Sequence, residues 1–521
     1  MQIDLSQHAA RPEPFRAQVC IIGAGIAGLT LAHRLAVQGI DVALLEAGGL
    51  ALTDASQSLL TQAHLSGERH AGTHEGRFRA FGGASLRWGG QLYPMPAEDA
   101  AWPIPASTLE PYYAAAETLL AVDHLPYEAQ AFFTAAHTAA PAMLAQLPGL
   151  KARLSKWTPF SHRNMASTLG RELLAKPSTT VYLNAQATEL LLAPGRTHIE
   201  AVLVRTLSGQ TFRFEATHFV VAAGTVETSR LLLASCSVAA EGVGNQHDQV
   251  GRNFHDHLTL PAATITGPAR EAILRELRPW VFQGTQHSIK LEADRALCGE
   301  LNLNPILAHV AFEEPEASAL AVVRDLLTSR QRGDVLATVR RQARRLPSAL
   351  VELESLAFQA KFRHRRAIPK TTRVVLRLNA AQDTPSQSRI TLADDLDPLG
   401  LPNPRVDWRI TTNEHDTFRA FAGYLRERLT PAEGIEWQAG LFDIEQPLQN
   451  ITDARHAMGG ACMGSDPGAS VTDSNLQVHG LTNLHVASAA TFPTGGPQLI
   501  TLPLMALSLR LGDRLAASLN S

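Results

Sequence analysis

Cysteine is scarce in this 521-residue chain: Cys20, Cys236, Cys298 and Cys462 lie far apart and form no CxxC or mixed Cys/His spacing. That excludes a disulfide-stapled scaffold and a structural zinc site, and it points to a reduced, cytoplasmic protein. Long apolar runs are missing too, since none approaches the roughly 20 residues of a membrane span. The first segment, MQIDLSQHAARPEPF, is polar and lacks the apolar core of a signal peptide. Charge is sparse and balanced, with 18% charged residues and a formal net charge of −3. A chain of that balance is not a general nucleic-acid binder. Solenoid repeats and low-complexity tracts are absent. What is present is 45% hydrophobic, the composition of an ordinary soluble globular protein with room for two or more domains.

The most informative stretch near the amino terminus is VCIIGAGIAGLTLAHRLAVQGIDVALLEAGG. Val19–Ile22 is a β-branched run and reads as a buried strand. Gly23, Gly25 and Gly28 form GxGxxG, Ile26–Val37 has a helical pattern, and Val42–Leu45 is a second strand ending at Glu46. A strand, a glycine turn, a helix, a strand and an acid are the complete context that a lone GxGxxG lacks. The glycines let backbone approach a pyrophosphate at a helix N-terminus, and the carboxylate can accept from ribose hydroxyls.

Residues 50–78 are polar, poorly periodic and expected to be irregular. FRAFGGASLRWGGQLYPM (78–95) carries paired glycines that suit a backbone passing close to a flat ligand. A helix is expected after the capping-type Ser107 and Thr108, and another within 130–150. Between 178 and 233, TTVYLNAQATELLLA, IEAVLVRTLSG and TFRFEATHFVVAAG predict three strands in a meander. The third leads through Gly224 into a second strand–glycine–helix unit. Short strands are expected at 260–267, 286–292 and 305–312. TRVVLRLN, SRITLADD and PNPRVDWRIT alternate like antiparallel strands of a second sheet, and Asn413–Leu429 predicts a helix. The segment 325–370 is helix-rich and basic, with RRQARR and KFRHRR. A solvated helical face is its plain reading; a lid, a membrane-surface contact or an anionic-substrate patch are the sharper ones. At the far end, RHAMGGACMG places a His before a glycine turn. NLHVASAATFPTGG then gives a strand and a loop, followed by an apolar helix.

Together, GAGIAG with LLEAGG, GGASLRWGG, AAGTVETSRLLLAS, VGRNFHDH and HAMGGACMG…NLHVASAATFPTGG resemble the glucose–methanol–choline (GMC) oxidoreductase family of FAD enzymes. The motifs occur in order and nearly end to end, with 100–178 and 260–380 matching loosely. The resemblance implies α/β and α+β architecture: a discontinuous Rossmann-type FAD domain (15–100, 178–258 and 455–521) and a substrate domain (101–177 and 259–454) built on a large antiparallel sheet with helices. It implies cofactor contacts at Gly23, Gly25, Ile26, Ala27, Gly28, Glu46 and Ala47, and at Gly82, Gly83, Ser85, Trp88, Gly89 and Gly90. Further contacts are implied at Ala187, Ala223, Gly224, Ala489, Pro497 and Gln498. Some sugar-oxidising relatives attach FAD through a His in the second motif. Arg87 stands there in this chain, so noncovalent FAD is expected.

Oxidising an alcohol requires removal of a hydroxyl proton and transfer of a hydride from carbon to flavin. A base near neutral pKa assists the first event, and His is the usual one. His456 aligns with the family's catalytic His. The family's second active-site residue, a His or Asn, aligns with Leu499, which has no hydrogen-bonding side chain. Either the neighbouring Gln498 substitutes, or groups elsewhere orient the substrate, or the flavin performs other chemistry. His255 and His257 are spaced like a metal pair on a strand, but no third ligand is evident, so no metal is expected. His479 reads as a turn residue, and Met458 and Met463 as packing. The expected function is oxidation of a hydroxyl on a small polyol, sugar, glycoside or aminoglycoside-like molecule, with the electron acceptor open. A tailoring flavoenzyme that desaturates or isomerises its substrate is the alternative that Leu499 favours. A non-catalytic FAD-binding or membrane-surface protein is a third reading, and His456 argues against it.

Overall fold

The computed structural model describes residues 1–95, 102–313, 338–340, 365–384, 387–429, 433–497 and 499–521. An eight-stranded sheet runs in the order Gln2–Asp4, Thr179–Leu183, Val42–Leu45, Phe15–Ile22, Thr211–Val221, Ile199–Arg205, Gln186–Leu192, with Leu484–Val486 also paired to Thr211–Val221. The strands from Gln2–Asp4 through Thr211–Val221 are parallel, and the last two are antiparallel. Val42–Leu45 is buried at every position, as a strand covered on both faces must be. Helix Ile26–Val37 follows the first glycine turn and packs on the C-terminal helix Thr501–Asn520. Arg34 and Asp513 join the two helices through paired hydrogen bonds of 2.6 and 2.8 Å.

Two glycines make that turn. Gly23 has φ +109°, and a Cβ there would lie 2.5 Å from the Ala222 carbonyl oxygen. A Cβ on Gly28 would lie 1.9 Å from the Gly23 carbonyl oxygen. Gly28 therefore sets how closely the helix approaches the strand it follows, which is the third glycine's packing role in this motif.

The antiparallel sheet has nine strands. Its main order is Ile435–Trp437, His257–Ile265, Arg373–Ala381, Ile306–Glu313, Thr285–Ala293, Leu150–Trp157, Gln91–Leu92. Helix Thr412–Arg428 lies beside it, opened by a capping box of Thr411 and Glu414. A separate three-stranded sheet contains Arg389–Leu396, Pro402–Trp408 and His64–Gly67.

Several sequence expectations need correction. The stretch TTVYLNAQATELLLA is two strands, broken where Asn184 turns to φ 53°. The first half joins the parallel strands and the second joins the meander. Asn is one of the few residues that tolerate that conformation, and an apolar pattern cannot register it. SRITLADD and PNPRVDWRIT pair with each other rather than with the large sheet. The second of them also pairs with His64–Gly67, inside a stretch expected to be irregular, because partner choice is tertiary. Ser107 and Thr108 sit in a 3-10 turn and cap nothing, and the helix begins at Glu110. Within 130–150 the helical content is Ala129–Ala135 and a 3-10 turn at Ala142–Gln146. The basic segment lies outside the described residues except for 338–340 and 365–370.

Candidate functional site

Two cavities meet in the cleft between the parallel and antiparallel sheets. The first, of about 800 Å³, is floored by the glycine turn: Gly23, Gly25, Ile26, Ala27, Glu46 and Ala47 line it. Gly83, Trp88, Gly89 and Gly90 line it from the second motif, and Ala187, Ala223, Gly224 and Ala489 from elsewhere. Gly25 is the N-cap of helix Ile26–Val37, and a Cβ built on it or on Gly224 meets nothing within 4 Å. Bare backbone at a helix N-terminus therefore faces open space, which suits a phosphate-bearing ligand. Arg79 also lines this cavity, with a buried side chain whose Nε has no hydrogen-bond partner among the described residues. A buried cation with an unused donor fits an anionic group in the same way. Burial raises the Glu46 carboxyl pKa against the pull of two backbone donors, Gly48 N at 2.8 Å and Ala24 N at 3.1 Å. Each oxygen keeps a lone pair for a ribose hydroxyl. The residues fit a flavin dinucleotide.

Four of the expected cofactor residues, Gly28, Gly82, Ser85 and Pro497, do not line this cavity. Gly28 packs the helix, as described above. Gly82 donates its N–H to the Ala24 carbonyl at 2.9 Å. Ser85 is buried, donating to the Gly82 carbonyl at 2.6 Å and accepting from Met165 N at 3.2 Å. Gly82 thus ties the second motif to the first, and Ser85 ties it to the segment at Met165. Pro497 lines the second cavity, Leu499 lines both, and Gln498 lies outside the described residues.

The second cavity, of about 830 Å³, is walled by the antiparallel sheet. His456, Leu499, Gln91, Arg377, Ala454 and Arg455 line both cavities, so the two spaces open onto each other at these side chains. His456 is held at this junction by Asp256, which is fully buried. Asp256 Oδ2 accepts from His456 N at 2.7 Å and His70 Nε2 at 3.1 Å. Its Oδ1 accepts from His257 N at 2.6 Å and Ala454 N at 3.2 Å. His70 must donate to this carboxylate, because its Nδ1 already accepts from Thr73 N at 3.1 Å.

The proton positions on the two central imidazoles follow from one carbonyl. His257 Nε2 lies 3.1 Å from the Gly495 carbonyl oxygen, which can only accept, so Nε2 carries the proton. Burial, with His456 next, holds the His257 pKa well below the ordinary value, so the ring is neutral and its Nδ1 is a lone pair. His456 Nδ1, 3.1 Å from that lone pair, must donate to it. His456 Nε2 is then left unprotonated on a side chain that lines both cavities. Burial also lowers the His456 pKa, against the opposing charges of Asp256 and Asp453.

Sequence reasoning singled out His456 and missed its supports. His257 was read only as half of a metal pair lacking a third ligand. The structure brings ligand atoms of Asp256, His257 and His456 within 4.8 Å of one another. Hydrogen bonds to neighbouring donors and acceptors engage them, as just described. Gln91 directly follows the second motif, yet nothing local marked it. Its Nε2 donates to Ser155 Oγ at 2.6 Å, which leaves the amide oxygen and one proton free for the junction. His479 is hydrogen-bonded to Ser470 at 2.9 Å, and Met458 and Met463 are buried in the core. Among the described residues no helix is long and apolar enough to cross a membrane.

Residues 161–259 and 384–508 match the two GMC oxidoreductase family models, and residues 21–58 match an NAD(P)-binding Rossmann-like domain. The fructose dehydrogenase large subunit of Gluconobacter japonicus is 26% identical over 356 residues, which are 68% of this chain and 56% of that protein. The 6'''-hydroxyparomomycin C oxidase of Streptomyces lividus is 23% identical, over 96% of this chain and 91% of that one. Among solved structures, pyridoxine 4-oxidase from Mesorbium loti superposes with a TM-score of 0.56 at 16% identity, covering 96% of this chain and 99% of that one.

Proposed function

The chain belongs to the GMC oxidoreductase family, and from that premise we propose that it oxidises a hydroxyl of a small polyol, sugar or glycoside, with His456 as base. The observation that carries this reading is the unprotonated His456 Nε2 at the meeting point of the two cavities. FAD bound in the first cavity would supply the hydride acceptor. The second cavity would hold the substrate with its hydroxyl toward His456, which takes the hydroxyl proton at Nε2 and keeps its own proton at Nδ1, shared with His257. Gln91 is the polar group that orients the substrate oxygen where the family's His or Asn is replaced by Leu499. Leu499 and Ala454 give the junction an apolar lining beside His456.

FAD is held noncovalently in this reading, since the Arg87 guanidinium is not a nucleophile. Residues 15–100, 178–258 and 455–521 form the cofactor half and 101–177 with 259–454 the substrate half. The absence of a disulfide among the four cysteines supports a reducing, cytoplasmic setting. A second reading, desaturation or isomerisation, is favoured by the apolar Leu499 at the junction.

The test is an anaerobic screen of sugars, polyols and aminoglycosides for bleaching of the bound flavin, after acid treatment shows that the flavin is released intact. Bleaching by a hydroxyl substrate, with a carbonyl product, is the expected result. A flavin that stays oxidised with all of them, while an unsaturated product forms from another compound, would transfer the site to the second reading.

The pairing of imidazoles predicts a pH profile. Protonation of His456 Nε2 stops the base, and burial lowers the pKa of both rings. Activity is therefore retained as pH falls through the ordinary His value of about 6.5, and the acid limb lies below it. Replacing His257 by Phe removes the Nδ1 acceptor and frees the His456 proton to occupy Nε2. The expected loss in kcat is on the order of 10², with KM little changed. An acid limb above pH 6.5 in the parent enzyme, or full kcat in the His257→Phe variant, would count against the fixed tautomer.

A further inference from the structure

Lys290 stands in the middle of the strand Thr285–Ala293 and lines the second cavity with only 6% of its surface exposed. Among the described residues, its ammonium makes no hydrogen bond and no ion pair. The charges on the neighbouring strands are engaged. Arg377 and Arg373 both pair with Glu313. Glu292, two residues on and on the same strand face, accepts from the Tyr93 hydroxyl at 2.7 Å and faces Arg153 at 3.7 Å. His309 on the adjacent strand is kept neutral by burial, with Lys290 and Arg377 adding to the effect, and is hydrogen-bonded to Asn379 at 2.9 Å. Elsewhere on the cavity wall, Asp453 is taken up by the backbone donors of Ala71, Gly72 and Arg455, and Arg455 by Glu75. Glu436 is exposed and accepts from the Thr266 hydroxyl at 3.4 Å. Four cations (Lys290, Arg373, Arg377 and Arg455) and three carboxylates (Glu313, Glu436 and Asp453) line this cavity, a small surplus of positive charge, with Glu292 also acting on Lys290.

A buried, unpaired ammonium is costly unless a ligand completes it. We propose that Lys290 is the recognition cation of the substrate cavity, and that the hydroxyl compound held there carries an anionic acid group, a carboxylate or a phosphate. This deepens the reading of the site as an alcohol oxidoreductase and rests on it for the word substrate. Burial, with Arg377 next, lowers the Lys290 pKa to about 7. An anion against it restores the full charge and gains a charge-assisted hydrogen bond that a neutral sugar cannot make. A cationic amino sugar would meet the same surplus as repulsion.

Equilibrium binding to the oxidised holoenzyme separates these cases without turnover. The probes are D-glucuronate, D-glucose 6-phosphate, D-glucose and D-glucosamine, read by perturbation of the flavin spectrum and by calorimetry. At least one of the two anions should bind tenfold or more tightly than glucose, and glucosamine most weakly. The two anions against each other decide between carboxylate and phosphate. Lys290→Met should bring the anions to the level of glucose while glucose itself is unchanged, and Lys290→Arg should keep most of the preference. Glucosamine matching the anions, no difference among the four probes (absence of binding included), or an anion preference that survives in Lys290→Met would each overturn the assignment. The comparison on the parent protein stands even where a variant does not fold. An enzyme that prefers the anions yet never bleaches its flavin would defeat the oxidation reading and leave this one intact.

Discussion

Replacing His456 by Ala will leave a yellow protein whose flavin is no longer reduced at a useful rate. The FAD cavity is lined chiefly by the glycine turn and the second motif, so removing one imidazole at its edge does not empty it. The loop carrying residue 456 is held through the backbone, since His456 N donates to Asp256 and that bond survives the substitution. What disappears is the Nε2 lone pair. Loss of a positioned general base lowers rates by typically 10²–10⁴, about 3–5 kcal/mol in the barrier. Rapid mixing of substrate with the anaerobic variant measures this directly. Bleaching within tenfold of the parent rate would show that some other group takes the proton, and His257, whose Nδ1 lone pair faces the space the imidazole leaves, would be the first candidate. A variant that loses FAD altogether would instead make His456 part of the cofactor wall.

Much of this site could be read from the chain because its motifs are local. GAGIAG with Glu46 encodes a turn, a helix start and a carboxylate within one contiguous unit, so the spacing itself carries the geometry. His456 could be named for the same reason, lying beside a glycine turn that resembles a known family. The rest depends on distance in sequence. Asp256 meets His456 across 200 positions and His70 across 186, and no periodicity brings them together. His257 looked like a ligand because its neighbour at His255 is also a His. Only the Gly495 carbonyl, 238 positions away, shows that its role is to fix a proton. Lys290 sits in an alternating strand, where a sequence pattern would place any Lys in solvent. The large sheet buries it because both sides of that position are covered. The split at Asn184 and the pairing of His64–Gly67 were lost for related reasons, one a backbone conformation and the other a choice of partner.

Asp256→Ala should be the most damaging single change outside the cofactor turn. Its carboxylate is fully buried and accepts four hydrogen bonds, from His70 Nε2 and the backbone nitrogens of His257, Ala454 and His456. Those donors belong to three separate stretches of chain, so a single side chain ties the substrate-sheet strand, the His456 loop and the helix at Ala71–Glu75 together. Alanine leaves His70 Nε2 and the His257 and His456 nitrogens without this acceptor, while Ala454 N keeps its bond to the His257 carbonyl at 3.0 Å. Each unmet donor costs about 1–3 kcal/mol, and partial relaxation brings the net to about 4 kcal/mol. Thermal melting of the FAD-loaded protein should register this as a fall of roughly 4 °C. Asp256→Asn separates charge from shape. It retains one oxygen acceptor but turns an NH₂ toward two donors. Melting should fall by less than in the alanine variant, while flavin reduction drops by at least tenfold because the His456 loop loses its anchor. Parent-like reduction in Asp256→Asn would mean that the loop holds its place through Asp453 and the glycine turn alone, and that the carboxylate serves folding and not the position of the base.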